Sequence, residues 1–446
     1  MAVPRFKLRN ILSATLCILL ACVLAIPLAQ AKIYIDINES SRQPFPLAIP
    51  VFKNLAPSAD TDPLGVEMAN ALEADLKITS LFKLLDRKGF LEDPAKAGVK
   101  LGTFDMANWR AIDALGLVKV SYEVKGNQVK VELRLYDVLT GTMIAGKVYT
   151  GTRNNLRPLV HKMANEIVFQ YTGEPGFFNS RIAAVSDATG NKEIIIMEVD
   201  GQGMLPISRN GAINISPTWS PKGNRLAFTS YKAGNPDLYL SDLSRGFTQR
   251  LTDFEGGTFS PGFDNKGQDI GVTLSIDGDQ EIYLLDDTGK IKQRLTRSPG
   301  IDVSPVISPD GKRIVFVSSR AGGAHIFVMN IDGSDVKRLT FAGSQNTSPT
   351  WSPKGDKIAF CGRDLGAFDI FVMNADGSNI VRLTQDQGNN EDPSWSPDGH
   401  YLVFSSTRLS RRPQLVISTS DGRYQTVITD SQAGYSNPEW SPFVEW

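Results

Sequence analysis

The segment TWSPKGDKIAF, residues 350–360, places a tight turn between two short apolar runs. Nearly the same sequence occurs as TWSPKGNRLAF at 218–228 and as SWSPDGHYLVF at 394–404. Pro and Gly in the turn, with β-branched and aromatic residues around it, are typical of a β-hairpin. Because one chain repeats the same hairpin, the sequence indicates a repeat architecture, and the period has to be found before any local pattern is interpreted.

Three markers share one period along the C-terminal part of the chain. The tryptophan of the turn, or an apolar residue in its place, recurs in steps of 44, 44, 44, 44 and 45 residues. A pair of Ile or Leu with Ser or Thr follows in the same steps, and a turn headed by Asp recurs in the same register. The first marker falls on Trp219, Phe263, Ile307, Trp351, Trp395 and Trp440. These markers indicate six copies of one unit.

Each copy predicts four short strands, and a four-stranded unit of about 44 residues is typical of a β-propeller blade. The fourth copy shows them at 348–352, 357–361, 369–374 and 380–384. The repeat begins at Arg181 with a second, third and fourth strand, and the chain ends with a first strand. We therefore predict an all-β six-bladed propeller at 173–446, in which both ends of the repeat complete one blade and hide the sheet edges.

The first 31 residues predict a secretory signal peptide. Three basic residues precede an apolar stretch at 11–26, and small residues occupy the −3 and −1 positions of a cleavage site between Ala31 and Lys32. An uncleaved anchor helix and a lipoprotein cleavage box at 19–22 are the alternatives. Cleavage leaves 44 basic residues, 48 acidic residues and one cysteine. This composition excludes a basic nucleic-acid-binding surface and an internal disulfide.

Residues 32–172 predict a small α+β domain. Apolar residues at helical spacing indicate helices at 63–77 and roughly 155–171, and Asp105 is the expected N-cap of a third helix that ends at Gly116. Residues 172–178 are the expected linker into the propeller. The predicted strands are 32–37, 117–124, 129–138 and 142–151.

A signal peptide, a small α/β domain and a six-bladed propeller with WSPxG units, in that order, resemble the TolB family of the Tol–Pal envelope system. The likeness covers the whole chain, whereas similar propeller units alone also occur in some proteases. The resemblance implies a non-enzymatic scaffold in the periplasm that links TolA of the inner membrane to the outer-membrane lipoprotein Pal. It implies a role in outer-membrane integrity and in constriction at cell division, with other outer-membrane proteins and bacteriocins as further partners. We expect a monomer without cofactor or small-molecule substrate.

The resemblance also implies two binding regions. In the family, the segment after signal cleavage is a switch that binds TolA, and Pal binds at one mouth of the propeller channel. The matching switch segment is Lys32, Ile33, Tyr34, Ile35, Asp36, Ile37 and Asn38. The matching mouth residues precede the proline that enters each innermost strand and are Asn214, Ser216, Thr258, Ser260, Asp302, Ser304, Asn346, Ser348, Glu391, Asp392, Ser436 and Asn437.

Rigid polar loops around one mouth favour protein binding, because proline lowers the cost of ordering them. Ser, Asn or Asp before Pro is also ordinary turn chemistry, which is the alternative for any single loop. The loop 258–261 lacks the His that family members carry there. Asp302, Glu391 and Asp392 are candidate ligands for a cation in the channel.

The alternative function is a periplasmic propeller hydrolase, lyase or glycan-binding protein. The sequence has no G-x-S-x-G, H-E-x-x-H, C-x-x-C, G-x-G-x-x-G or Walker motif. Its three histidines, His161, His325 and His400, are far apart in sequence, and we expect each of them to be structural or solvated. Sites built from residues dispersed over blades leave no motif, so this alternative stays open.

Overall fold

The computed structural model describes residues 35–36, 43–56, 63–94, 96–364 and 366–444. The predicted signal peptide lies outside these residues, as does the switch segment except for Ile35 and Asp36. From Asp36 onward the chain forms one compact unit that contains a mixed α/β domain and a propeller. No helix within the described ranges is both long and apolar enough to cross a membrane.

The N-terminal domain is a mixed sheet covered by helices. Its strands are β1 (Phe45–Ala48), β2 (Lys53–Asn54), β3 (Phe82–Leu84), β4 (Gly116–Lys125), β5 (Gln128–Asp137) and β6 (Thr142–Thr152). Its helices are α1 (Leu64–Ile78), α2 (Met106–Arg110) and α3 (Arg157–Thr172), with a 3₁₀ turn at Arg87–Gly89. The order is β3-β1-β4-β5-β6, with β1 parallel to β3 and β4, β2 parallel to β4, and β4, β5 and β6 antiparallel. Helices α1 and α3 pack against each other, and α3 packs on β6.

The predicted meander and the predicted first and last helices are present, but the predicted helix from Asp105 to Gly116 is too long. Asp105 caps α2 as expected, since its carboxylate accepts a hydrogen bond from the Ala107 N–H at 2.8 Å. The helix nevertheless ends at Arg110. Asp113 has a φ of 58°, a left-handed conformation that a right-handed helix cannot contain. Gly116 therefore begins β4 instead of ending the helix.

The remainder of the described chain forms six four-stranded antiparallel sheets, which we number as blades 1 to 6. The repeat opens with β7 (Arg181–Ser186), β8 (Glu193–Glu198) and β9 (Leu205–Pro206). Blade 1 is β10 (Asn214–Trp219), β11 (Arg225–Ser230), β12 (Asp237–Asp242) and β13 (Phe247–Arg250). Blade 2 is β14 (Thr258–Phe263), β15 (Asp269–Leu274), β16 (Glu281–Asp286) and β17 (Ile291–Arg294). Blade 3 is β18 (Asp302–Ile307), β19 (Arg313–Ser318), β20 (His325–Asn330) and β21 (Lys337–Arg338).

Blades 4 to 6 complete the ring. Blade 4 is β22 (Gln345–Trp351), β23 (Lys357–Arg363), β24 (Asp369–Asn374) and β25 (Val381–Arg382). Blade 5 is β26 (Asn390–Trp395), β27 (Tyr401–Ser406), β28 (Gln414–Thr419) and β29 (Gln425–Val427). Blade 6 joins β30 (Tyr435–Trp440) to β7, β8 and β9, with Tyr435 paired to Ser186 and Trp440 to Ile182. The predicted six blades, closed by both ends of the repeat, are confirmed.

The repeated tryptophan packs between neighbouring blades. Trp351 is buried with Val315 and Val328 of blade 3, and its Nε1 donates to the Val306 carbonyl of that blade at 3.1 Å. Trp219 Nε1 makes the corresponding bond across the ring closure, to the Glu439 carbonyl at 3.0 Å. The repeated tryptophan therefore has a structural role, because it joins neighbouring blades.

The repeated Ser or Thr closes each blade at its outer edge. Its hydroxyl accepts a hydrogen bond from the second backbone N–H of the third strand, at 2.8–3.0 Å in all six blades. In blade 4, Thr384 Oγ1 also donates to Asp369 Oδ1 at 2.7 Å. Asp369 accepts a further bond from Asn390 Nδ2 of blade 5 at 3.3 Å, so this arrangement links consecutive blades. The six hydroxyls belong to Ser208, Thr252, Thr296, Thr340, Thr384 and Thr429.

Candidate functional site at the channel mouth

Each innermost strand carries one non-glycine residue in the left-handed conformation, directly before its proline. The six φ values lie between 45° and 56°, and each coincides with a register shift against the second strand. Such a β-bulge bends the strand and redirects one side chain. The six residues are Ser216, Ser260, Ser304, Ser348, Asp392 and Asn437.

These six residues and their prolines line a central cavity of about 150 Å³. The predicted convergence of their side chains is therefore confirmed, although contact with a partner stays a prediction. Four of them offer hydroxyls, one a carboxylate and one an amide. The cavity wall is accordingly polar and rigid, and it can donate and accept hydrogen bonds.

Asp392 is the one carboxylate among the six and lies between two neighbouring blades. It accepts hydrogen bonds from Ser348 Oγ at 2.8 Å and from Asn437 Nδ2 at 2.7 Å. Burial raises the pKa of Asp392, while these two bonds act in the opposite direction. Deeper in the same wall, burial raises the pKa of Glu439 to about 7, and a hydrogen bond with Ser394 opposes the shift. The sequence analysis did not identify Glu439.

Four other predicted mouth residues do not line the cavity, so the expectation that their side chains converge on the channel is wrong for them. Asn214, Thr258 and Asp302 are fully buried, and Asn346 is 4% exposed. Two of them hydrogen-bond to the preceding blade instead: Asn214 Nδ2 lies 3.0 Å from Glu193 Oε2 of blade 6, and Asn346 Nδ2 lies 3.2 Å from His325 Nδ1 of blade 3. The cause is the bulge, which separates these side chains from the left-handed residue two positions later.

The predicted cation site does not form from the three carboxylates proposed for it. Asp302 is ion-paired with Arg320 at 2.6 Å and is absent from the cavity lining. Glu391 and Ser436 are half-buried beside the lining residues without belonging to the lining. Burial and the neighbouring Asp392 raise the pKa of Glu391. Of the three candidate carboxylates, only that of Asp392 lines the cavity.

The end of the ring where the innermost strands begin, which we call the mouth, carries exposed apolar side chains. Ile213 and Ile301 directly precede innermost strands and are 48% and 50% exposed. Phe341, in the loop before β22, is 74% exposed, and Leu409, in the loop after β27, is 65% exposed. The Arg338 guanidinium lies 5.0 Å from the Phe341 ring centroid. The sequence analysis missed this rim, although aligning the residue before each innermost strand would have shown two isoleucines at one position.

Two family models cover most of the chain. The "TolB amino-terminal domain" matches residues 33–144, and the "TolB beta propeller domain" matches residues 169–444. A Tol-Pal system protein TolB from Desulfosudis oleivorans is 42% identical over 226 residues, which are 51% of each chain. One from Paramagnetospirillum magneticum is 33% identical over 260 residues, 57% of this chain and 56% of that one. The chain thus aligns with about half the length of these curated relatives.

A solved structure extends the similarity to both domains. The crystal structure of TolB from Acinetobacter baumannii superposes with a TM-score of 0.78 at 27% identity, and the match covers 90% of this chain and 97% of that one. The agreement includes the domain order, the six blades and the small N-terminal domain. The chain therefore belongs to the TolB family.

Proposed function

We propose that this protein is a non-enzymatic scaffold of the Tol–Pal system in the periplasm, which binds the lipoprotein Pal at the channel mouth and TolA through residues 32–38. In this role it serves outer-membrane integrity and constriction at cell division. The curated relatives carry the name Tol-Pal system protein TolB, which supports membership of the system. Binding at the mouth needs no cofactor, because the polar ring and the apolar rim supply both kinds of contact.

The observation that carries the proposal is the combination of a rigid polar cavity and an exposed apolar rim at one end of the ring. Protein-binding surfaces typically place apolar and aromatic anchors next to polar groups that fix orientation. Phe341 is the most exposed large apolar side chain in the described ranges, and the Arg338 guanidinium lies over its ring. We therefore expect Phe341 to be an anchor for Pal.

Substitution of this anchor tests Pal binding directly. Phe341→Ala is expected to weaken the affinity for soluble, non-lipidated Pal about tenfold or more, because one anchor residue is lost. Isothermal titration calorimetry measures this affinity. Phe247→Ala is the matched control, because Phe247 is 56% exposed on the outermost strand of blade 1, away from the mouth. Equal affinities of the two variants for Pal would refute binding at the mouth.

Deletion of residues 32–38 tests the TolA interaction. The alternating segment KIYIDI at a chain end suits addition to the edge of a partner sheet. We expect the deletion to abolish TolA capture in a titrated pull-down and to leave Pal affinity within about twofold. Unchanged TolA affinity would contradict this part of the proposal, whereas loss of both partners would indicate a folding defect, visible as a lower unfolding temperature.

A further inference from the structure

His161 is buried at the junction between the N-terminal domain and the propeller. Its side chain, on α3, is 2% exposed, and its ring lies parallel to Phe178. Its Nδ1 is 2.8 Å from Asp75 Oδ2 on α1, and its Nε2 is 3.0 Å from Glu198 Oε2 at the end of β8. Burial raises the pKa of Asp75, and its hydrogen bond with His161 opposes that shift. When both carboxylates are ionised they only accept hydrogen bonds, so both ring nitrogens donate and the imidazole is protonated. One carboxylate comes from each domain.

The other charged side chains around His161 are consistent with a protonated imidazole. Arg157, one turn earlier on α3, donates from Nε to Glu198 Oε2 at 3.0 Å and from Nη2 to Asp200. Arg181 at the start of β7 also faces Glu198. Burial alone lowers the pKa of His161, but the bonds to Asp75 and Glu198 outweigh it and raise that pKa to about 10. The cation between the domains thus persists at neutral pH.

We propose that His161 is a charged clasp that holds the N-terminal domain on blade 6, and that the two domains separate only after this clasp opens. A second attachment lies beside it, at the linker: Phe177 packs on Tyr401, and Tyr401 Oη donates to the Thr79 carbonyl at 3.0 Å. The two domains are therefore joined at two neighbouring places, the contacts at the linker and the His161 bridge. This assignment does not depend on the identity of any partner.

A metal ion is the competing explanation for this cluster. Asp75, His161 and Asp200 place possible ligand atoms within 4.8 Å of one another. However, a metal-binding imidazole needs one unprotonated nitrogen, and here both nitrogens contact carboxylates. The Arg157 guanidinium is also ion-paired with Asp200, one of the two carboxylates that a cation would need. The geometry therefore favours the clasp.

The protonation state of His161 can be measured in the intact protein. We expect ¹⁵N-histidine NMR at pH 8 to show both nitrogens of His161 protonated, with the signal assigned by its loss in His161→Gln. His325, whose pKa is lowered by burial, gives the neutral reference in the same spectrum. A neutral His161 at pH 8, or saturable Zn²⁺ binding that displaces its signal, would overturn the clasp.

Opening of the junction can be measured from the propeller side. Glu198→Gln keeps the size of the side chain and removes one of the two carboxylates on His161. We expect at least tenfold faster hydrogen–deuterium exchange in α3 and the linker at 173–180, with unchanged exchange in blade 3. Because the pKa of His161 is raised, the clasp is closed below that value, and raising the pH through about 10 should open the wild-type junction in the same way.

A carboxylate at the other end of the same strand supplies the control. Glu193 begins β8 and accepts hydrogen bonds from the N–H groups of Asn210 and Gly211 and from Asn214 Nδ2 of blade 1, none of which lies on α3. Glu193→Gln is expected to leave exchange in α3 unchanged. If Glu198→Gln and Glu193→Gln give the same exchange in α3, the junction is not held by His161 and the proposal is wrong.

Discussion

Gly333 lies in the turn between β20 and β21, where its backbone touches the preceding blade. Its φ is 86°, and a Cβ atom at this position would lie 2.6 Å from the Leu295 carbonyl oxygen of blade 2. The turn glycine is thus required for two reasons, its left-handed backbone and the close approach of the preceding blade. The repeated Asp-Gly of the sequence is therefore a packing feature of the ring as well as a turn signal.

Gly322 allows these two reasons to be separated. Its φ is also 86°, but a Cβ there would meet nothing within 4 Å. We expect Gly322→Ala to lower the free energy of unfolding by about 1 kcal/mol, from backbone strain alone. Gly333→Ala should cost about 2–4 kcal/mol, because the steric conflict adds to the same strain. Urea unfolding measures both, and equal losses would mean that the inter-blade contact contributes nothing.

Polar residues two positions apart at the mouth show what the sequence could not determine. Ser348 faces the cavity, whereas Asn346 is buried and bonded to His325. Strand alternation places residues i and i+2 on one face. The left-handed serine breaks that alternation, and the Ser-Pro letters alone also fit an ordinary turn. The 44-residue period therefore predicted which residues of the six blades come together at the mouth. The β-bulge determines which of these side chains face the channel.

At the scale of elements, the 44-residue period predicted the positions of strands better than local residue propensity predicted the bounds of helices. The blade strands were predictable because a 44-residue repeat with three markers samples the same hairpins six times. The α2 helix occurs once, and its early end depends on Asp113, whose left-handed conformation no local pattern indicates. The clasp was not predictable, because His161, Asp75 and Glu198 are far apart in sequence and meet only through the domain junction.

The outer-edge hydroxyl supports a contact between blades: Thr384 Oγ1 bonds Asp369 of its own blade, and Asp369 in turn bonds Asn390 of blade 5. Thr384→Val removes the hydroxyl that accepts a hydrogen bond from the Ile370 N–H and donates one to Asp369. Both of these hydrogen bonds are buried. We expect a loss of about 1–3 kcal/mol in the free energy of unfolding, because buried polar groups are left without partners. Thr384→Ser retains the hydroxyl and should recover at least half of that loss in urea unfolding. If the Ser variant were as unstable as the Val variant, methyl packing rather than the hydrogen bonds would explain the effect.

At the scale of the whole molecule, strand β30 connects the mouth to the domain junction. Asn437 near its start bonds Asp392 in the cavity wall, and Trp440 at its end donates from Nε1 to Ser180 Oγ at 2.8 Å. Trp440 also packs on Phe177, with ring centroids 5.3 Å apart. The strand that closes the ring therefore also forms part of the surface on which the N-terminal domain rests.

Phe177 tests whether the two domains unfold together. It is 1% exposed and contacts Tyr401 of blade 5 as well as Trp440 of blade 6, so its removal leaves a cavity at the junction. We expect wild type to melt in one calorimetric transition and Phe177→Ala to melt in two, because the domains lose the packing that couples them. Phe316→Ala is the matched control: Phe316 is fully buried within blade 3, and its loss should cost a similar 3–5 kcal/mol. That control should lower the melting temperature while the single transition persists. A single transition in Phe177→Ala would show that the aromatic contacts of Phe177 are not needed to make the molecule one cooperative unit.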